Sequence, residues 1–228
     1  MNSVPTRYRQ TPDELLERRV REVLRPGLAV LDVGSGRSPA VLADDRPQLA
    51  EYVGLDLSRA ELDRAPARSY DAVVVGDAIE RRPELEERFD LVVSRQVLEH
   101  VWPLDRALSN LHGYLRPGGA LLASLSGRRS VNAALNRLLP APVASFMLER
   151  LLGRDPETVF PAHYDRCDEC SLRAFLASWS EAEVTPLYLG AAYFNFARPL
   201  RALYLRYEDW ALRSRHDLAT HYVVEARR

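Results

Sequence analysis

Three acidic residues stand where ligand chemistry would need them. Asp32 leads into Gly34-Ser35-Gly36, Asp56 follows twenty residues after Gly36, and Asp77 comes directly after Gly76. Each sits at or beside the end of a short apolar run. A Gly-x-Gly turn behind a buried strand permits positive φ and lets a flat ligand approach the main chain closely. The amides of a helix starting just beyond it would face that ligand. A carboxylate about twenty residues further on is placed to accept two hydrogen bonds from a ribose diol. A further pair, Glu99-His100, ends another apolar run, and the histidine is a candidate general base.

The acids discriminate among ligands. A dinucleotide fingerprint needs a third glycine where this chain has Pro39, and a pyrophosphate is repelled by a rim of carboxylates. S-adenosylmethionine (SAM) has no phosphate and carries a sulfonium and an ammonium. An acid-rimmed pocket suits such a ligand. An NAD-dependent oxidoreductase is therefore the disfavoured reading, and a scaffold that keeps the fold without catalysis is the other alternative.

The elements that position these residues alternate along the chain. Thr11-Pro12-Asp13-Glu14 reads as a capping box with proline at the first helical position, followed by the stripe Leu15, Leu16, Val20, Val23 and Leu24. Val30 to Val33 is a strand, and Pro39 to Asp44 reads as a short helix. Glu51 to Asp56 is a second strand, Ser58 caps a helix to Ala65, and Asp71 to Gly76 is a third, very apolar strand. Phe89 to Ser94 is a fourth, Leu104 to Leu115 a helix, and Ala120 to Leu125 a fifth strand. This alternation predicts an α/β fold, a doubly wound, Rossmann-like and mostly parallel sheet. Seven strands are expected, the C-terminal one antiparallel. Residues 1–228 read as one domain: an N-terminal helix (1–27), a core (28–126), a helical lid insertion (127–161) and a C-terminal part completing the sheet (162–228). In the last part, Asp168 caps a helix from Ser171 to Trp179, Glu183 to Leu189 is strand-like, Pro199 to Arg213 is helical, and Thr220 to Ala226 is the closing strand.

Composition narrows the function classes. An apolar share of 46% and a charged share of 28% suit a soluble globular chain. All 31 basic residues are arginine, which excludes Schiff-base chemistry and a P-loop lysine. The net charge of -1 gives no pull toward nucleic acid. No apolar stretch reads as a signal peptide or a membrane span, so a cytoplasmic location is expected. Oligomeric state leaves no signal.

The motifs together resemble class I SAM-dependent methyltransferases of the broad small-molecule type. Asp32-Val33-Gly34-Ser35-Gly36, Gly54-Leu55-Asp56, Gly76-Asp77-Ala78, the run Phe89 to Val101, and the Leu111 to Ala120 segment with its Arg-Pro-Gly-Gly occur in that family's order and spacing, from about Arg25 to Ser126. The resemblance implies methyl transfer from SAM to a small-molecule acceptor, with an apolar or lipid-linked lean. It implies that Gly34 and Gly36 line the methionine part, with Ser35 in the same turn, and that Asp32 contacts the ammonium. Asp56 would bind the ribose hydroxyls with Leu57 beside it, Asp77 the adenine amino group, and the Ala78 amide an adenine nitrogen. Ser94 and Arg95 would form the wall beside the sulfonium. The family usually has glycine where Ser38 stands.

The other candidates belong to the acceptor side or to packing. His163 and Tyr164 follow the lid and are, with His100, acceptor-site candidates. His163, Cys167 and Cys170 have a zinc-like spacing but lack an obvious fourth ligand, so no metal is expected. A helix start would lower the pKa of these thiols; small side chains filling a corner is the preferred reading. The stripe Leu203, Tyr204, Tyr207 and Trp210 among five arginines is a pattern of peripheral membrane contact. Because Glu208 and Asp209 offset the charge, packing on the sheet with a solvated charged face is expected instead.

Overall fold

A computed structural model describes residues 5–130, 133–134 and 162–228. Helix α1 (Pro12–Val23) starts at the predicted capping box: Thr11 accepts from the Glu14 amide, and the Glu14 carboxylate accepts from the Thr11 amide. Its face of Leu15, Leu16 and Val20 is buried. Strands β1 (Ala29–Val33), β2 (Glu51–Asp56), β3 (Ala72–Val75), β4 (Phe89–Arg95), β5 (Leu115–Ser126), β6 (Glu181–Leu187) and β7 (His221–Arg227) form one sheet in the order β3-β2-β1-β4-β5-β7-β6. β7 runs antiparallel to both of its neighbours, and the pairs from β3 to β5 are parallel. Helices α2 (Arg59–Asp63), α3 (Leu104–Tyr114), α4 (Glu169–Phe175) and α5 (Arg198–Ser214) complete the described regular structure. Ser58 and Asp168 cap α2 and α4 as expected. β1 is buried along its whole length, with Leu31 and Val33 facing one apolar cluster and Val30 the other.

The sheet order places a topological switch between β1 and β4, where the ends of β1, β2 and β4 converge. Asp32 and Gly54 are register partners, as are Val33 and Ser94. The predicted acids therefore emerge on one edge of the sheet.

Two expectations, the helix after β1 and the inward-facing stripe near the C-terminus, are corrected, and two points that the sequence left open are decided. No α-helix follows β1: residues 39–44 turn irregularly into a short 3-10 turn at Ala43–Asp45. The Val41 carbonyl, which a helical Asp45 amide would meet, accepts from the Arg46 guanidinium at 3.0 Å instead, while the Ala40 amide donates to the Asp32 carboxylate and the Val41 amide to the Tyr52 hydroxyl. The Ser38-Pro39 pair also disfavours helical backbone at Ser38. β3, apolar as it is, is an edge strand with Val73 and Val75 exposed. The Cys167 thiol is pushed up, not down, first by burial and then by the neighbouring acids Glu99, Asp165 and Asp168. Finally, the aromatic stripe of α5 faces outward: Leu203, Tyr207 and Trp210 are exposed, and the buried positions are Glu208 and Ala211. The lid expected at 127–161 lies, apart from residues 127–130 and 133–134, outside the described residues. Among the described residues no helix is long and apolar enough to cross a membrane.

Glu208 explains how α5 is held. Its buried carboxylate accepts from the Gly190 amide (2.6 Å), the Tyr8 hydroxyl (2.6 Å) and Arg7 (3.3 Å). One side chain thus joins α5, the 3-10 turn Gly190–Phe194 and the N-terminal segment. Gly190 is needed there because a Cβ would lie 2.6 Å from the Tyr204 hydroxyl. We predict that Glu208→Ala, which strands these donors, lowers the unfolding free energy by roughly 2–4 kcal/mol in urea titration. A change below about 0.5 kcal/mol would mean the cluster does not hold α5.

Candidate functional site

The site is built around Asp32. The residue sits inside β1, 1% exposed, between strands that cannot part for it. Its Oδ2 accepts from the Tyr52 hydroxyl at 2.6 Å and the Ala40 amide at 2.7 Å. Its Oδ1 is buried with no hydrogen-bond donor among the described residues. Burial pushes the carboxyl up to about 6, and the bonds from Tyr52 and Ala40 only partly offset that rise. Tyr52 is itself fixed from two sides: the Arg46 guanidinium lies 3.4 Å from the ring centroid, and Tyr70 stacks on it at 5.9 Å.

The glycine turn has two different steric reasons for its glycines. Gly34 (φ +71°) donates its amide to the Leu55 carbonyl, and a Cβ there would meet the Val97 side chain at 2.3 Å. Val97, from the loop after β4, thus lies against the turn. Gly36 (φ +46°) leaves space beside Asp56, whose Oδ2 would be 3.3 Å from a Cβ. Tyr70 closes the turn by donating to the Gly36 carbonyl at 3.0 Å. Arg37 pins it to α2 through a bidentate pair with Glu61 at 2.7 and 3.1 Å.

Asp56 ends β2 half-buried. Its Oδ1 accepts from the Ser58 amide at 2.7 Å, which fixes the carboxylate plane. Its pKa is raised by burial, with the amides of Ser58 and Gly36 pulling the other way. Leu57 beside it is 67% exposed. Asp77 accepts from the Ile79 amide at 3.1 Å, and Ala78 is buried with its carbonyl held by Asn110. Asp32, Asp56 and Asp77 are thereby brought to the ends of three adjacent strands.

β4 contributes a second polar group. Ser94 is fully buried, its Oγ without a partner among the described residues. Arg95 reaches back across the turn to the carbonyls of Ser38 (3.0 Å) and Pro39 (3.4 Å), so it fastens the glycine segment. Beyond them, Glu99 is buried; its Oε1 accepts from the Ser126 amide, and burial raises its pKa. The Glu99 carbonyl accepts the amides of both His163 and Tyr164 at 2.9 Å. His163 is exposed, Tyr164 buried and His100 half-buried. The three predicted acceptor-side residues therefore lie around one backbone carbonyl at the end of β4. Cys167 is buried and Cys170 exposed. Among the described residues no group of three His, Cys, Asp or Glu could hold a metal.

Sequence reasoning missed Tyr52, Tyr70 and Arg46. The available signal was a tyrosine inside an apolar strand, since a buried hydroxyl needs a partner. Its register opposite Val30 and its reach to Asp32 exist only once the sheet is assembled.

The residues fit a cation-bearing nucleoside in their chemistry. A buried carboxylate with one free oxygen calls for a positively charged or donor group. A fixed carboxylate at the end of β2 can take a diol.

Comparison with known proteins agrees. A family profile described as "Methyltransferase domain" matches residues 31–123. A ubiquinone biosynthesis O-methyltransferase of Mesorhizobium japonicum is 29% identical over 159 residues, 66% of this chain and 61% of that protein. A trans-aconitate 2-methyltransferase of Deinococcus radiodurans is 35% identical over 129 residues, 55% of this chain and 47% of that protein. The chain thus spans about half to three-fifths of these relatives. Among solved structures, a SAM-dependent methyltransferase of Mesorhizobium loti superposes with a TM-score of 0.56 at 20% identity, covering 97% of this chain and 100% of that one. A phosphoethanolamine N-methyltransferase of Haemonchus contortus in complex with SAM gives 0.59 at 16% identity, covering 95% and 52%. At these identities the structural likeness shows the fold. Residues 31–123 match a methyltransferase domain, and the fold is shared with SAM-dependent methyltransferases of known structure.

Proposed function

We propose that the chain transfers the methyl group of SAM to an apolar small-molecule acceptor. The observation that carries this reading is the Asp32 carboxylate, buried ahead of the glycine turn with one oxygen free of donors among the described residues. The missing helix after β1 supports the same reading. A pyrophosphate site would use that helix's N-terminal amides, whereas here the Ala40 and Val41 amides are spent on Asp32 and Tyr52. In this reading Asp32 takes the ammonium, Asp56 the ribose hydroxyls with Leu57 over the ring, and Asp77 and Ala78 the adenine edge. Gly34, Ser35 and Gly36 border the methionine part, and Ser94 and Arg95 the reacting end.

When bound, SAM supplies an activated methyl on a sulfonium. The chain's own work is alignment: the fixed turn, held by Tyr70, Arg37 and Arg95, sets the donor side. Positioning of that kind accounts for about 7–11 kcal/mol of a barrier. On the acceptor side stand His100, His163 and Tyr164. His100 would take a proton where the acceptor is a hydroxyl of low acidity. That some relatives carry O-methyltransferase names favours an oxygen acceptor.

Three outcomes test the reading. Asp56→Ala, which removes a charge-assisted pair of bonds to the ribose, is expected to weaken SAM binding by about 1.5–3 kcal/mol in calorimetry; unchanged affinity in the folded variant contradicts the assignment. His100→Ala is expected to leave SAM affinity intact and to lower turnover about a hundredfold, measured as label moved from methyl-labelled SAM to catechol acceptors. Equal turnover makes His100 structural.

The third concerns pH. The folded Asp32 carboxyl titrates near 6, above its ordinary value of 3.8. Its contribution to stability is therefore full below about pH 4 and is lost as pH rises through about 6. A bound ammonium favours the ionised form, so SAM affinity is expected to rise from about pH 5 to about pH 7 and then level. Asp32→Asn is expected to flatten that rise. A pH-independent affinity in the wild-type protein contradicts the role given to Asp32.

A further inference from the structure

Among the described residues α5 leaves an apolar side exposed. Leu200, Leu203, Tyr207 and Trp210 follow helical spacing on the exposed face, and Leu203 is 65% and Trp210 50% exposed. The rings continue beyond the helix. Phe196, 82% exposed, neighbours Phe194 at 6.4 Å, Phe194 neighbours Tyr204 at 4.8 Å, Tyr204 meets Tyr207 at 5.3 Å, and Tyr207 meets Trp210 at 5.9 Å. This is a contiguous apolar patch, not scattered surface residues.

Its charge setting is equally specific. Arg206 and Arg213 flank the stripe one heptad apart and are exposed, as is Arg198 at the helix start. The helix's two acids do not neutralise them, because Arg7 engages both: Glu208 at 3.3 Å and Asp209 at 2.7 Å. Among the described residues no carboxylate pairs with Arg198, Arg206 or Arg213. An antiparallel second copy, related by a twofold axis across the helix, would bring arginines beside arginines. An interfacial bilayer surface offers what the face lacks: anionic headgroups at the level of the arginines and acyl chains for leucine and tryptophan, with tyrosine and tryptophan rings at the boundary.

We propose that α5 and Phe196 form a docking surface for an anionic lipid bilayer, with the helix lying in the plane of the interface. The 17-residue helix is about 25 Å long and its stripe about 15 Å, enough for one in-plane helix and not for a span. The docking is reversible and salt-sensitive, because a single short helix with few cations binds by combined apolar and electrostatic attraction. It does not depend on methyl transfer.

The test is vesicle flotation of the full chain at low and high salt. One set of vesicles is phosphatidylcholine alone, and the other contains roughly one part phosphatidylglycerol to three of phosphatidylcholine. The protein is expected to float with the anionic vesicles, less so at high salt, and weakly with the neutral ones. Leu203→Glu with Trp210→Glu is expected to cut the bound fraction about tenfold, with SAM affinity unchanged as the sign of an intact fold. Arg206→Gln with Arg213→Gln, a milder surface change, is expected to remove the preference for anionic vesicles, and it decides the matter if the first variant misfolds. Failure of the wild-type protein to float overturns the proposal, as does equal binding to both vesicles or binding untouched by either double substitution. A wild-type dimer that these substitutions dissociate, without vesicle binding, assigns the face to a second copy instead.

Discussion

A carboxylate forced into the middle of a buried parallel strand is the constraint on which this structure turns. Asp32 cannot leave β1 without breaking pairing on both sides, and it cannot stay there ionised without donors. The surrounding structure answers that demand. Tyr52 gives its hydroxyl, residue 40 gives an amide that would otherwise begin a helix, and Arg46 and Tyr70 hold Tyr52 in place. Among the described residues the supply stops one donor short, and Asp32 leads directly into a turn whose two glycines sit against Val97 and Asp56. The binding chemistry follows from this shortfall. In the proposed function this is the oxygen that meets the ammonium of SAM.

The same carboxylate explains the local departure from a common nucleotide-binding pattern. In an open α/β sheet the first turn usually delivers a helix N-terminus to the ligand, an arrangement suited to phosphate. Here the chain from Gly36 to Asp45 is fastened by side chains: Arg37 to Glu61, Arg95 to the Ser38 and Pro39 carbonyls, and Asp32 to the Ala40 amide. A positive electrostatic end is thereby replaced by a negative one.

Most of the sheet was legible because buried parallel strands write themselves as apolar runs, and because Thr11, Ser58 and Asp168 announce helix starts by a mechanism local to a few residues. The register of acids at strand ends was legible for the same reason. What was not legible depends on distant partners. The apolar run of β3 does not reveal that Val73 and Val75 are exposed, because only the strand order puts β3 at the edge. The segment after Pro39 reads as helix until the Val41 carbonyl is taken by the Arg46 side chain. Tyr204, Tyr207 and Trp210 read as a packing face until Glu208, a residue that sequence alone places on the solvated side, proves to be the buried anchor with Tyr8 and Gly190. Cys167 could not be separated from Cys170 by spacing, only by burial.

The central claim is that the pocket at Asp32 and the glycine turn selects a cation-bearing nucleoside over a pyrophosphate. The most direct measurement is calorimetric titration of the protein at neutral pH with SAM and, separately, with NADH. Saturable binding of SAM, displaced by S-adenosylhomocysteine and accompanied by no measurable heat with NADH, is the predicted result. Binding of NADH with none of SAM would contradict the account.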